Sequence, residues 1–330
     1  MPDVSTPDIS MTNACFYLRT PDAQRLHVRL AGAAHGEPWL VLHGGPGSGC
    51  PAAMAAWFDL RRHRVVMPDQ RGAGRSRPAG CLRRNNVGAL LADLEQLRRT
   101  LGIERWGVVG GSWGAALALA YAARCPDAVA ALVLRGAFLT GRDDVFNLFS
   151  SRHGGRMLER VRPLGERLSD ARARLITVSR LFQSGTPVQK RDTAAAWRAS
   201  EQTLLGMPRR LRSRRPLLRE REATVAKYRI QAHYLRNRAG LGKPALLRAA
   251  RAIAAHGLPV TLLHGRADAV CRPANALRLQ AAMPGARLVW VDGGHLTGGA
   301  MGAALAAAIG APGVAQPGWC GSPRASSIFR

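Results

Sequence analysis

The stretch Gly110-Gly111-Ser112-Trp113-Gly114 constrains this 330-residue chain more than any other. An apolar, strand-like run at 106–109 leads into it, and a helical run at 115–123 leads out. A serine on so tight a strand-to-helix turn needs neighbours that are nearly free of side chains, and the two glycines before it and the one at position 114 meet that demand. The hydroxyl then stands exposed at the N-terminal end of a helix. Gly-x-Ser-x-Gly in this setting predicts a nucleophilic serine and, with it, hydrolytic chemistry.

The remaining pattern predicts the scaffold. Short apolar runs recur at 15–18, 26–30, 39–42, 65–67, 106–109 and 131–134, and two more follow at 260–263 and 288–291. Helical faces lie between several of them, for example Leu90, Leu91, Leu94, Leu97 and Leu101. Wholly apolar strands alternating with helices imply an α/β protein, with a mostly parallel eight-stranded sheet covered on both sides. The first two runs predict an opening hairpin. From 141 to 245 strand signals stop, and Arg-rich amphipathic segments broken at Pro163, Pro187 and Pro208 predict a helical cap inserted into the series. The core is therefore expected at 14–140 and 246–310, with unstructured tails at 1–13 and 311–330.

Composition narrows the function classes. No apolar run reaches the roughly 18–20 residues of a membrane span, and residues 1–13 lack the features of a secretory leader, so a cytoplasmic protein is expected. The six cysteines are scattered and form no Cys-x-x-Cys pair, which predicts reduced thiols rather than a zinc site or a disulfide frame. The formal charge of +27 is unusual. Residues 141–250 hold 25 Lys and Arg against nine Asp and Glu, most densely at 207–222. Such a patch could serve nucleic acid, but no zinc-finger spacing, aromatic RNP pattern or helix-turn-helix accompanies it, and a solvated helical face is the expectation.

A serine hydroxyl needs a base to take its proton, and the base needs a third group to orient it. In the α/β-hydrolase fold these follow in the order serine, acid, histidine, each on a loop after a strand. The run at 260–263 leads into His264-Gly265-Arg266-Ala267-Asp268, and the run at 288–291 into Asp292-Gly293-Gly294-His295. Ser112, Asp268 and His295 are thus the expected triad; Asp292 falls too early to orient the ring from behind. An oxyanion hole is also required. The backbone N–H of Trp113 is one expected donor. The other comes from His43-Gly44-Gly45-Pro46-Gly47, with Gly44 ahead of Gly45.

These blocks, together with Asp69-Gln70-Arg71-Gly72-Ala73-Gly74-Arg75-Ser76 and the stretch 117–138, resemble the signature segments of the proline iminopeptidases. The likeness covers 35–140 and 258–296 closely and the cap loosely. It implies removal of an N-terminal proline from short peptides or amides, without a metal or organic cofactor. Members of that family hold the substrate amine with two cap glutamates. Trp197-Arg198-Ala199-Ser200-Glu201 resembles the first such block, with Ser200 in place of a tryptophan. Ile230-Gln231-Ala232-His233-Tyr234 resembles the second, with Gln231 in place of the glutamate. The resemblance therefore implies substrate contacts at Glu201, Gln231, Trp197 and Gly45, with His233 and Tyr234 as packing. Gln231 cannot neutralise an ammonium, which keeps open an esterase, lactonase or other amidase. A non-catalytic binding protein is the remaining alternative, and an intact triad argues against it.

Overall fold

A hairpin begins the described residues, and after one further antiparallel pairing the remaining strands are added in parallel. The computed structural model describes residues 11–149, 171–207, 217–237 and 240–311. Strands β1 (Met11–Arg19) and β2 (Arg25–Ala33) pair antiparallel, and β2 pairs antiparallel with β4 (His63–Pro68). The strands β3 (Glu37–Leu42), β5 (Trp106–Gly111), β6 (Val129–Arg135), β7 (Val260–Gly265) and β8 (Arg287–Val291) then complete an eight-stranded sheet in the order β1-β2-β4-β3-β5-β6-β7-β8. Every pairing from β4 to β8 is parallel. Beginning at Met11, β1 includes residues 11–13, which the sequence pattern placed in a tail; Met11 pairs with Ala33, so backbone hydrogen bonding extends the strand through the polar Thr12 and Asn13. The tail segments 1–10 and 312–330 lie outside the described residues.

Central strands β5 and β6 are buried up to their last, half-buried residue, as a sheet covered on both faces requires. One face receives α1 (Val87–Thr100) and α2 (Trp113–Arg124) through Leu90, Leu94, Leu97, Leu117 and Tyr121. From β6 to residue 237 the described residues form α3 (Arg142–Leu148), α4 (Ala171–Ser184), α5 (Pro187–Leu204) and α6 (Leu218–Arg236), and no strand. These helices share a small core of their own around Phe149, Phe182, Trp197 and Tyr228. The middle of the Arg-rich run at 207–222, residues 208–216, lies outside the described residues. The chain returns through α7 (Lys243–Ala255) and α8 (Pro273–Ala282) on the α2 face, while α9 (Ala300–Ile309) covers the other with a short 3₁₀ turn (Ala52–Trp57). No helix among the described residues is long and apolar enough to cross a membrane.

The cap reaches the sheet through α6. At Gly47, where φ is +96°, a Cβ would stand 2.7 Å from the Lys227 carbonyl oxygen, so only glycine lets the helix lie directly on this loop. Farther along α6, Tyr234 donates its hydroxyl to Asn85 Oδ1 at 2.7 Å, and His233 Nε2 meets the Asn85 carbonyl at 2.9 Å. Both residues therefore tie the cap to a core loop.

Candidate active site

Ser112 occupies the turn between β5 and α2 with φ 57° and ψ −119°, a conformation that residues with side chains rarely adopt. Its N–H donates to the Arg135 carbonyl at 2.9 Å, and its carbonyl accepts from Ala115 N at 3.0 Å, so the strained residue is fixed from both sides. The flanking glycines answer to backbone, not to convenience. A Cβ on Gly114 would lie 2.1 Å from the Leu42 carbonyl oxygen, and one on Gly110 would lie 2.3 Å from the Gly114 carbonyl oxygen. No rotamer change relieves either clash.

The loops after β7 and β8 bring Asp268 and His295 together. Backbone bonds from Arg266 N to Val291 O and from Ala267 N to Gly293 O, both 2.9 Å, hold these loops side by side. His295 Nδ1 lies 2.7 Å from Asp268 Oδ2, while Asp268 Oδ1 accepts from the N–H groups of Val270 (2.9 Å) and Cys271 (2.8 Å). Burial pushes the Asp268 carboxyl up, but the hydrogen bond from His295, its charge and the Cys271 amide outweigh that and leave it below the usual carboxylate value. The His295 imidazole is held below its ordinary value mainly by burial, assisted by the positive charge of Arg135 and opposed by Asp268. Arg135, at the end of β6, also donates from Nη1 to the His295 carbonyl. The Ser112 hydroxyl faces the Cys271 thiol, with Oγ 3.7 Å from Sγ, rather than the imidazole.

Beside the serine, three loops lock into one network. Gln70 N donates to His43 Nε2 at 3.0 Å, which leaves the proton on Nδ1, 3.1 Å from the Gly44 carbonyl. Gln70 Nε2 donates to the His43 carbonyl at 3.0 Å, and Trp113 Nε1 donates to Gln70 Oε1 at 2.9 Å. The glycine loop after β3 is thereby fixed against the first turn of α2. Gly44 lies so close that a Cβ there would stand 3.3 Å from Ser112 Cβ. Trp113 opens α2, where helix geometry leaves backbone N–H groups without an intrahelical acceptor.

A cavity of about 700 Å³ opens above these groups. Ser112, His295, Gly44, Gly45, Trp113, Trp197, Glu201 and Gln231 all line it; Asp268 stands behind His295. Trp197 stacks on Tyr228 with ring centroids 5.0 Å apart and meets Phe149 edge-on at 5.0 Å, so it serves packing and wall at once. Glu201 already holds a cation: Lys227 Nζ lies 2.6 Å from Glu201 Oε2, and the Tyr228 hydroxyl donates to the same oxygen at 2.7 Å. Burial raises the Glu201 carboxyl, but Lys227 and these hydrogen bonds bring it below its usual value. Gln231 is buried, and its Oε1 meets no hydrogen-bond partner among the described residues.

Comparison with known proteins fits this architecture. The family profile described as the alpha/beta hydrolase fold matches residues 38–298. Proline iminopeptidases of Xylella fastidiosa (strain Temecula1) and Xanthomonas citri are 37% and 36% identical to the chain over 282 and 284 residues. These matches cover 83% and 82% of this chain and 88% and 87% of the relatives. The chain belongs to the proline iminopeptidase family of α/β hydrolases. Among solved structures, an enol-lactonase from Burkholderia xenovorans LB400 superposes with a TM-score of 0.58 at 21% identity, covering 89% of this chain and 98% of that one, a likeness of fold alone.

As a family member the chain places every sequence-predicted site residue at or directly behind one cavity. Asp292, the rejected acid, is exposed and faces Arg266 at 3.4 Å. Sequence reasoning missed Lys227, Tyr228 and Arg135. A usable signal existed for the first: Lys227 stands four residues before Gln231 on a helix, so both share a face.

Proposed function

We propose that this chain is a serine aminopeptidase that releases N-terminal proline from short peptides or amides through an acyl-enzyme. The observation that carries the reading is the Asp268–His295 hydrogen bond beside a cavity that also exposes Ser112 and the Glu201 carboxylate. In this reading the Ser112 hydroxyl leaves Cys271 by rotation about its Cα–Cβ bond and gives its proton to His295 Nε2 as it attacks the prolyl carbonyl. Asp268 fixes the ring and stabilises the imidazolium. The N–H groups of Gly44 and Trp113 receive the oxyanion. His295 then protonates the leaving amine, and water, activated by the same ring, releases proline. Glu201 holds the substrate ammonium, which it must share with Lys227.

That sharing favours one second reading. A carboxylate already paired with Lys227, next to the neutral Gln231, selects for an amine less strongly than two free acids would, and an ester, lactone or other amide is then the substrate. Assays of proline p-nitroanilide and p-nitrophenyl esters on the wild type and on Glu201→Gln separate the two. The expected result is prolyl turnover whose KM rises at least about tenfold in Glu201→Gln, in keeping with the cost of losing a charged partner, while any ester turnover persists. Ester turnover without prolyl turnover would transfer the assignment to the second reading. An unchanged prolyl KM would remove Glu201 from amine binding.

The depressed His295 value fixes a pH dependence. The neutral imidazole is the base, so kcat/KM falls as acid protonates it, and the acid limb should lie below the usual histidine value of about 6.5. An acid limb above pH 7 in a full kcat/KM profile would contradict this electrostatic picture.

A further inference from the structure

The wall of the cavity includes a part built from the core rather than the cap. His27 and Arg29, two residues apart on one face of β2, line it with Cys50, Met54, Asp69 and Arg75. This end is joined to the His295 side: Leu296 and Thr297 continue the wall from His295, and α9, just beyond, packs on the 3₁₀ turn, Met301 and Leu305 sharing one apolar cluster with Cys50, Ala55 and Phe58. The histidine that protonates a leaving amine stands next to the space the leaving fragment fills, which makes this end of the cavity the candidate place for that fragment.

Its charge is positive and incompletely used. The Asp69 carboxylate is committed to the loop: Oδ1 accepts from Cys50 N at 2.5 Å, and Oδ2 accepts from Arg75 N at 2.8 Å and faces His27 Nδ1 at 3.4 Å. Arg29 makes no side-chain hydrogen bond or ion pair with any described residue, and its Nε is buried without an acceptor. Burial, with Arg75 and Arg29 adding to it against the pull of Asp69, holds His27 below its usual value, so both guanidinium charges act on this end. A buried guanidinium N–H without an acceptor is costly, and a planar carboxylate is the ligand its fork matches.

We propose that Arg29, with Arg75 at the rim, is a subsite for the free carboxylate of the leaving fragment, which makes the enzyme selective for peptides short enough to place their C-terminus there, dipeptides first. The proposal rests on the aminopeptidase reading for its peptide form. In acylation the Ser112 oxygen bonds to the prolyl carbon, the C–N bond breaks, the serine proton passes through His295 to the departing nitrogen, and the fragment leaves as an amino acid whose carboxylate faces Arg29.

The test compares Pro-Ala with Pro-Ala amide on the wild type, Arg29→Met and Arg29→Lys, with melting temperatures as the folding control. The wild type should favour the free acid by about tenfold or more in kcat/KM, mostly through KM, as expected for one charge-assisted contact. The preference should collapse toward unity in Arg29→Met and partly return in Arg29→Lys. A variant that merely folds less well lowers both substrates together and leaves the ratio alone. Equal use of acid and amide by the wild type, or an unchanged ratio in Arg29→Met, overturns the subsite. Proline p-nitroanilide, whose leaving group carries no carboxylate, reports the aminopeptidase reading by itself. Should it fail to turn over, 3-acetoxybenzoate against phenyl acetate reads the subsite through another acyl group, with the same ratio deciding.

Discussion

Ser112→Ala should lower kcat by roughly 10⁴- to 10⁶-fold on whichever substrate the wild type turns over, because in the proposed mechanism its hydroxyl is the group that attacks the carbonyl. Stability should barely change. The hydroxyl's partner is the Cys271 thiol at 3.7 Å, a weak contact, and alanine meets the same positive φ that serine already tolerates. Substrate affinity should persist as well, since Glu201, Trp197 and the glycine loop are untouched. Single-turnover kinetics with an active-site titrant, read beside a melting curve, check this. Activity above about 1% in the variant, beyond what the oxyanion hole alone can supply, would displace Ser112 from the nucleophile's role. Cys271 is no ready substitute: burial first, and then the Asp268 charge, push its thiol well above the usual cysteine value and keep it protonated.

The fold was legible because its signals are local. An apolar run bounded by turn residues says strand at β5 and β6 whatever lies far away, and the serine turn announces itself by what three glycines permit. The meeting of Ser112, Asp268 and His295 at or directly behind one cavity was legible for the same reason, each standing on a loop directly after a strand. What escaped is pairing across distance. Lys227 and Glu201 sit on different helices, 26 residues apart, and neither helix's periodicity encodes the other's charge. The start of β1 escaped too: Thr12 and Asn13 carry no apolar alternation, and only the register against Gly32 and Ala31 makes them strand. Arg29 looked like one more base in an arginine-rich chain. Its meaning depends on where β2 sits relative to the loop carrying Asp69.

Arg71→Met should destabilise the protein by about 3–5 kcal/mol, the usual cost of stripping the cation from buried acids. Arg71 donates to both Asp93 oxygens, Nε to Oδ2 at 2.6 Å and Nη2 to Oδ1 at 2.8 Å, and from Nη1 to Asp22 Oδ2 at 2.6 Å. All three side chains are at most 7% exposed. The two acids respond differently. The hydrogen bond from Arg71 pulls Asp22 down to about 2, whereas desolvation dominates at Asp93 and leaves it above the usual carboxylate range. For Asp22 the folded value is depressed, so its stabilisation is full above the unfolded value of 3.8 and is lost as pH falls toward 2. The penalty of the variant should therefore be larger near neutral pH, where the Asp22 carboxylate needs its cation, than in acid, where that carboxylate protonates. Activity should suffer with stability, because Arg71 anchors the loop whose neighbour Gln70 fixes His43, Trp113 and so the proposed oxyanion donors, and its carbonyl accepts from the Asn85 amide that bridges to Tyr234 on the cap. Urea denaturation at pH 7 and pH 3.5 reads the effect. A loss below about 1 kcal/mol at pH 7, or a loss that grows on acidification, would mean that the triad of charges is incidental and that the loop is held by its backbone bonds alone.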